Sequence, residues 1–211
     1  MSAREEILGR IRAALKDNPE APQIPRGYRK SSGLDEEALI ELLVDRLIDY
    51  KAQVCVVEAA QVSARIAELL ASAHSYVVPT GLDGGWLAKL DDVRGAGRGR
   101  FDSDSAPLTV AELDGIDAVV TGSAVAVAVT GTIILDGSPN QGRRAISLVP
   151  DHHICVVKAT DIVGILPEAL RRIDGTRPLT MISGPSATSD IELERVEGVH
   201  GPRRLDVIIA R

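Results

Sequence analysis

Three stretches of this sequence combine glycine, hydroxyl and arginine residues in a way that suits anion binding. Pro79-Thr80-Gly81, residues 136–144 (DGSPNQGRR) and residues 183–190 (SGPSATSD) each follow an apolar run. Glycine lets the backbone approach a ligand closely, and hydroxyls and free amides donate hydrogen bonds. Arginine can form bidentate hydrogen bonds with a carboxylate or phosphate. If these loops converge, they form a pocket for a small anion. The alternative is that each loop is an ordinary solvated turn.

Arg143 is the residue that we expect to bind the anion. It follows Gln141-Gly142 in a turn, and the neighbouring Arg144 adds positive charge in a protein of net charge −6. A protein this acidic needs a local inversion of charge to hold a carboxylate or phosphate. The alternative is that both arginines only pair with surface acids, which contributes about 0–1 kcal/mol.

The histidines do not predict a metal site. His152 and His153 open one strand, so their side chains point to opposite faces and cannot share a metal without distortion. His200 lies in GVHGP, where it is either a ligand contact or a turn residue. No spacing of residues supplies the three or four ligands that zinc requires, and no G-x-S-x-G elbow accompanies the serines.

A parallel sheet is the element that would position these loops. Short apolar runs at 53–58, 75–79, 116–122 and 152–157 alternate with amphipathic segments such as 34–51 and 59–73, and two more runs follow at 178–183 and 205–210. This alternation is typical of α/β proteins with helices flanking a mostly parallel sheet. Residues 124–129 and 132–136 flank Thr130-Gly131, which predicts a tight hairpin or one bent strand. Residues 161–174 are predicted to be helical.

Two domains follow from the pattern. Residues 1–33 form an N-terminal helix, with Ser2 and Glu5 as a capping box, and a proline-rich linker; residues 34–211 form the α/β domain. The helix is therefore an arm with an apolar stripe, which must be buried on its own body or on a partner. We expect the arm to mediate association or to dock loosely.

Composition excludes several classes of function. The five aromatic residues are too few to form stacking platforms for single-stranded nucleic acid, and a pI near 5.3 implies no basic face for duplex DNA. No apolar run approaches a membrane span, and the first 15 residues carry acids and lack the apolar core of a signal peptide. A cytoplasmic protein is expected. The two cysteines, Cys55 and Cys155, are far apart and are expected to be reduced and buried.

Three stretches together resemble a known family. AVTGTIIL (residues 128–135), NQGRRAISLVPDHHICVV (140–157) and ISGPSATSDIELERVEGVHGPRRLDVII (182–209) are similar to the lactate-utilization protein C family, whose core is the LUD domain. The resemblance covers roughly residues 35–211. Its most specific part is the last stretch, where Ser-Gly-Pro-Ser, Asp190-Ile191-Glu192 and the segment around His200 occur in order at the family's spacing.

The resemblance implies a fold similar to the NagB/RpiA/CoA-transferase-like superfamily and a role in bacterial oxidation of L-lactate to pyruvate. It implies iron–sulfur partner proteins that carry the clusters, while this chain alone binds no cofactor and no metal. The expected ligand-binding residues are Thr130, Gly131, Thr132, Gly142, Arg143, Ser183, Gly184, Pro185, Ser186, Asp190 and His200. All of them except Asp190 and His200 should approach one another at one edge of the sheet.

Two positions depart from the family: Asn140 stands where the family has a glycine, and the second departure matters more. An acidic residue commonly precedes Thr-Gly-Thr, and here Val129 stands in its place. Valine can serve neither as nucleophile nor as base, which argues against covalent catalysis by this chain. We therefore expect an auxiliary subunit that binds a small anion or a cofactor fragment. The alternatives are a stand-alone enzyme of the CoA-transferase or sugar-phosphate-isomerase type, and a non-catalytic assembly protein. A homo-oligomer is possible.

Overall fold

A computed structural model describes residues 2–17, 22–90, 97–185 and 201–211. Within these ranges no helix is long and apolar enough to cross a membrane. The helices are α1 (Ala3–Ala14), α2 (Glu36–Asp49), α3 (Val62–Leu69), α4 (Val110–Asp114) and α5 (Leu166–Ala169). The strands are β1 (Gln53–Val57), β2 (Tyr76–Pro79), β3 (Gly99–Asp102), β4 (Ala118–Thr121), β5 (Val125–Val127), β6 (Thr132–Leu135), β7 (His152–Lys158), β8 (Ile162–Val163), β9 (Thr180–Ile182) and β10 (Arg204–Ala210).

Six strands form one parallel sheet in the order β1-β10-β7-β4-β2-β3. Its central strands are apolar on both faces because helices cover both sides. On one face, Ile154 and Ile208 pack with Ile66 of α3, and on the other face, Val157 and Val207 pack with Leu43 of α2. The expected α/β fold with a mostly parallel sheet is therefore confirmed.

The remaining four strands form a smaller sheet in the order β8-β5-β6-β9. β5 and β6 are antiparallel and are joined by the turn at Thr130-Gly131, so the hairpin interpretation is the correct one. Ala126 and Ile133 of this hairpin share a core with α2, which thus lies between the two sheets. The hairpin follows β4 in the chain, and β6 leads directly into residues 136–144.

Two local expectations were wrong. Residues 99–102 (GRFD) form a strand that the sequence did not indicate, because an edge strand bonded to β2 needs no apolar run. The helix predicted over 161–174 is reduced to α5, since Ile162 and Val163 are buried and pair with β5 instead. Pro167 then lies in the first turn of α5, where its missing N–H costs nothing.

The order of the strands creates a crevice at the carboxyl edge of the main sheet. After β2 the chain moves outward to β3, whereas after β4 it moves the other way, toward β7. β2 and β4 are neighbours, so the direction of winding reverses between them. Open α/β sheets bind their ligands at such a point, beyond the carboxyl ends of the strands.

The amino-terminal arm stands apart from this core. α1 has the predicted capping box, with Ser2 as its N-cap, and none of its residues is buried. Residues 22–35 contain neither helix nor strand. The end of this linker is bound to the region of α5: the Ser32 amide donates to Glu168 at 3.0 Å, and Arg171 donates to the Lys30 carbonyl at 2.8 Å. The proposed division at residues 33 and 34 stays a prediction.

Candidate anion-binding site

A cleft of about 570 Å³ opens at the carboxyl edge of the main sheet, next to the reversal point. We call it the carboxyl-edge cleft. Its walls come from the residues after β2, after β3 and after β6, and from the approach to β9. They are Pro79, Thr80, Asp102, Ser103, Asp104, Leu135, Asp136, Gly137, Pro139, Gln141, Gly142, Arg143, Arg144, Ser147, Arg177, Pro178 and Thr180.

The loop at 136–144 forms most of this cleft and is held by its own polar groups. The buried Gln141 side chain accepts a hydrogen bond from the Asp136 amide at 2.6 Å, and Asp136 accepts one from the Ser138 amide at 3.0 Å. Gly142 has a φ of +69°, and a Cβ there would lie 2.9 Å from Pro79 and 2.8 Å from Ile146. Only glycine satisfies both the backbone angle and the close contact.

The same loop crosses the reversal point itself. The Gly122 amide, after β4, donates to the Asn140 carbonyl at 2.8 Å. A Cβ at Gly81, after β2, would lie 2.4 Å from Cβ of Pro139. Gly81 and Gly122 therefore let the loop approach both strand ends closely, and the loop narrows the crevice that the fold creates.

Arg143 is bound to a buried carboxylate. Its Nε and Nη2 donate to the two oxygens of Asp102 at 2.9 and 2.5 Å, and Nη2 also donates to the Leu108 carbonyl at 2.9 Å. The Asp102 side chain is fully buried, and the hydrogen bonds to it raise the pKa of Arg143. Arg143 thus keeps only Nη1 for another acceptor. Its partner is a buried acid at a strand end, which neither sequence interpretation foresaw.

A second ion pair lies across the cleft. Arg177 contacts Asp136 at 3.3 Å and donates to the Ser138 hydroxyl and the Gly137 carbonyl, each at 3.2 Å. Burial on its own would raise the pKa of Asp136. Hydrogen bonds from Ser138 and the charge of Arg177 outweigh burial, so this pKa lies below its usual value. Asp136 is consequently ionised at neutral pH and is not a proton donor.

Arg144 is the arginine of the cleft whose side chain has no partner among the described residues. Its side chain is exposed, and its guanidinium has no hydrogen bond or ion pair with the residues that the structure describes. Its backbone carbonyl accepts a bond from the Ser147 hydroxyl at 3.0 Å, which fixes the turn that presents it. Three arginines and three aspartates line the cleft, so its formal charge is balanced and not the net positive charge that we expected.

The predicted site residues separate into groups. Gly142 and Arg143 line the carboxyl-edge cleft. Thr130, Gly131, Thr132 and Ser183 lie at the opposite end of β6, about 13 Å away at the rise of a strand. Pro185 lines a different cleft, at the amino ends of β1 and β10. The described residues therefore do not converge on one pocket, and Ser186, Asp190 and His200 lie outside them.

The group at the start of β6 is a packing contact built from hydroxyls and glycines. The Thr132 hydroxyl lies 2.8 Å from the hydroxyls of both Thr130 and Ser183, which ties β9 to the hairpin turn. Gly131 and Gly184 have φ of +60° and +91°. A Cβ at these positions would lie 2.8 Å from Arg46 Cβ and 2.6 Å from the Tyr50 carbonyl oxygen, respectively. Both glycines thus let β-structure pack directly on α2.

Comparison with known proteins decides the family. The LUD domain profile matches residues 40–210. This chain belongs to the LUD domain family. A relative from Deinococcus radiodurans named lactate utilization protein C is 46% identical over 212 residues, which span 98% of this chain and 95% of that protein.

One further relative and one solved structure support the same family. Lactate utilization protein C of Bacillus subtilis is 30% identical over 117 residues, 52% of this chain and 48% of that protein. A crystal structure of a DUF162 family protein from Deinococcus radiodurans superposes with a TM-score of 0.71 at 40% identity, covering 84% of this chain and 99% of that one. The resemblance drawn from the sequence motifs is confirmed, and the LUD fold is that of a solved relative.

The cysteines of this LUD domain do not fit an iron–sulfur cluster. Cys55 packs against the core under α3, while Cys155 lies in the core under α2, so they face opposite sides of the main sheet. Clusters of this kind are held by several converging thiolates. Burial also raises the pKa of Cys155 to about 12. In the part of the chain that the structure describes, no three His, Cys, Asp or Glu side chains group as metal ligands.

The histidine pair of the LUD domain behaves as its spacing predicts. His153 is buried and lies 2.7 Å from the Thr121 hydroxyl, and burial lowers its pKa to about 4. On the other face of the sheet, His152 lies 2.7 Å from a carboxylate oxygen of Asp206, which also accepts from Arg204 at 2.6 Å. The two rings therefore belong to separate hydrogen-bond networks on opposite faces of the sheet.

Sequence reasoning missed three residues of the cleft. Asp102 follows a strand that was not foreseen, and Arg177 lies in a segment without periodicity, so neither carried a signal. Arg144 was noted only as a neighbour that adds charge, although it is the arginine without a described partner. Which member of an Arg-Arg pair is free depends on the acids that the fold brings near, and no spacing in the sequence encodes that.

Proposed function

We propose that this LUD domain is an auxiliary subunit of an iron–sulfur-dependent L-lactate oxidation system, in which it binds a small anion at the carboxyl-edge cleft. Two relatives named lactate utilization protein C, one matching along nearly the whole chain, support the system. The observation that supports the site is Arg144, which is exposed in the cleft without a described partner.

The ion pairs around Arg144 give the cleft its selectivity. Arg143 is oriented by Asp102, so its remaining Nη1 is presented at a fixed angle, while Asp136 and Arg177 close the far side. A planar carboxylate matches a guanidinium fork, and the nearby aspartates repel larger or more highly charged anions. A monocarboxylate such as lactate or pyruvate therefore suits the cleft.

Of the three aspartates that line the cleft, only Asp104 has no described salt bridge, and it is exposed, so the described lining offers no paired acid and base. Asp102 and Asp136 are each bound to an arginine, and Val129 lies at the other end of the hairpin. We accordingly assign the electron-transfer chemistry to iron–sulfur partner proteins, whose clusters this chain cannot hold with two cysteines on opposite faces. Mixed with L-lactate and an artificial electron acceptor, the purified chain should show no turnover until such partners are added.

Binding is tested by thermal unfolding and calorimetry with L-lactate, pyruvate, inorganic phosphate and coenzyme A, each added separately. At least one anion should raise the melting temperature of the wild-type protein, since a ligand that binds only the folded state stabilises it. Arg144→Ala should weaken that binding tenfold or more, because charged hydrogen bonds contribute roughly 1.5–3 kcal/mol. Arg203→Ala, at the amino edge of the sheet, is the matched control and should bind as the wild type does.

Three results would refute this proposal. If none of these anions binds, the cleft is not a site for them, and a non-catalytic assembly role is favoured. If Arg144→Ala binds the anion as tightly as wild type, the anion lies elsewhere. Turnover of lactate by the purified chain alone would favour the stand-alone enzyme.

A further inference from the structure

The arm helix α1 carries an apolar face that nothing in the described chain covers. Ile7, Ile11 and Leu15 are 59%, 49% and 57% exposed, and no residue of α1 is buried. A 12-residue helix is marginally stable in water unless its apolar face is packed. Its complete capping box nevertheless indicates a defined helix, so α1 requires a surface on which to dock.

The body presents a groove of suitable form. One ridge of α2, with Glu37, Glu41 and Val44, and the edge strand β1 enclose a groove of about 450 Å³. Val56 in its floor is 40% exposed, and Ile48, one turn beyond Val44 on the same ridge, is 57% exposed. We call this the α2–β1 groove. Among the strands that the structure describes, β1 is the edge of the main sheet on this side.

The arm and the groove match in length and charge. At 1.5 Å per residue, α1 is about 18 Å long and α2 about 21 Å. Arg10 and Arg12 flank Ile11 and project about 100° to either side of it, so they border the apolar stripe. Glu41 and Glu58 border the groove, and Glu41 has no ion pair with any residue that the structure describes. Arg10 is paired with Glu6 within α1 and Arg211 with Glu37 in the groove. The charges left to meet across the interface are therefore Arg12 of the arm and Glu41 of the groove.

We propose that the α2–β1 groove of one copy receives α1 of a second copy, and the reverse, so that two chains exchange arms. Such an exchange is two-fold symmetric and closed: each apolar stripe is covered once and no groove remains open. In the single chain the stripe is uncovered, and the linker end is bound to the α5 region at Ser32 and Arg171. The exchange does not depend on anion binding at the carboxyl-edge cleft.

Sedimentation velocity of the full-length protein tests the exchange. The wild type should sediment as a dimer at micromolar concentration. Ile11→Asp should raise the dimer dissociation constant tenfold or more, because it places a charge at the centre of the buried stripe. Val110→Asp alters a side chain that is 66% exposed at the start of α4, far from this interface in the sequence, and should dimerise as the wild type does. A wild type that remains monomeric, or a dimer unaffected by Ile11→Asp, would overturn the proposal.

A disulfide experiment identifies the surfaces. Full-length Ile11→Cys and Ile48→Cys proteins are mixed and oxidised, and the linked peptides are identified by mass spectrometry. Arm exchange gives a mixed disulfide between the two proteins. If Ile11→Cys links only to another Ile11→Cys chain, the arms pair with each other and the groove is not the receptor. If no mixed disulfide forms, the arm docks on its own body or not at all, and the exchange is again refuted.

Discussion

Arg143 and Asp102 form a bidentate ion pair that joins the loop after β6 to the end of β3. The Asp102 side chain is fully buried, and its Oδ1 also accepts from the Leu108 amide at 2.9 Å. The pair therefore connects residues 102–108 with the loop after β6, which lies 41 residues further along the chain from Asp102. It makes Arg143 a structural residue of the carboxyl-edge cleft and leaves its neighbour Arg144 as the residue that we propose for anion binding.

Replacing Arg143 should destabilise the fold. Arg143→Ala leaves the Asp102 carboxylate buried without its counter-charge, which costs roughly 3 kcal/mol in comparable pairs. Urea denaturation should show this loss in the free energy of unfolding. Arg144→Ala is the matched control: its side chain is exposed, so stability should change by about 0.5 kcal/mol or less. Equal stability of the two variants would contradict a structural role for the ion pair.

The residues that pack at the start of β6, which we call the hairpin group (Thr130–Thr132, Ser183 and Gly184), should affect stability and not anion binding. Gly184→Ala places a Cβ 2.6 Å from the Tyr50 carbonyl oxygen at a φ of +91°, so it should lower the free energy of unfolding by about 1–3 kcal/mol. Gly175→Ala, where a Cβ meets nothing within 4 Å, should change stability little. Calorimetry on folded Gly184→Ala should give the wild-type affinity for the anion. A loss of affinity would instead place the ligand at the hairpin group.

Stability should fall as the solution is acidified, in the range set by His153. Its folded-state pKa of about 4 is below the ordinary value of 6.5 because of burial and the nearby His152. Between these pH values His153 of the unfolded chain binds a proton that the folded chain does not bind. The contribution of His153 to stability is therefore fully present above pH 6.5 and declines toward pH 4. At 1.36 kcal/mol per unit, this loss amounts to roughly 3 kcal/mol.

Urea denaturation at several pH values between 4 and 7 measures that slope. His153→Gln keeps a partner for the Thr121 hydroxyl but does not titrate, so its stability should depend less on pH in this range. His74→Gln removes a histidine whose side chain is 96% exposed and should leave the wild-type slope. If His153→Gln has the same slope as wild type, another group is responsible.

The Cys155 thiol should be inert in the folded protein. It is fully buried, and burial raises its pKa to about 12, so the reactive thiolate is scarce at neutral pH. Alkylation of the native protein, followed by peptide mass spectrometry, should leave Cys155 unmodified, while urea should expose it. Cys55 is half-buried and is the internal comparison. Labelling of Cys155 at the rate of Cys55 would contradict the packed core.

Much of the fold follows from local patterns. Five of the six apolar runs that we read as strands form central or edge strands of the parallel sheet, because a strand covered on both faces must be continuously apolar. The arm helix begins where its capping box predicts, at Ser2, and α2 lies within the amphipathic segment 34–51, with Asp35 as its N-cap. By contrast, β3 and β8 are short and obtain their backbone partners from β2 and β5, so their own residues need no strong pattern.

The sequence by itself determined the alternation of strands and helices, the LUD motifs and the chemical types of the loop residues, because these depend on neighbours along the chain. Only the tertiary structure decided which of those residues meet. The antiparallel return of β6 carries Thr132 and Arg143 to opposite ends of one strand, and β3 brings Asp102 to Arg143 across 41 residues. Burial of an acid, and therefore the choice of which arginine stays free, is a property of packing between distant segments.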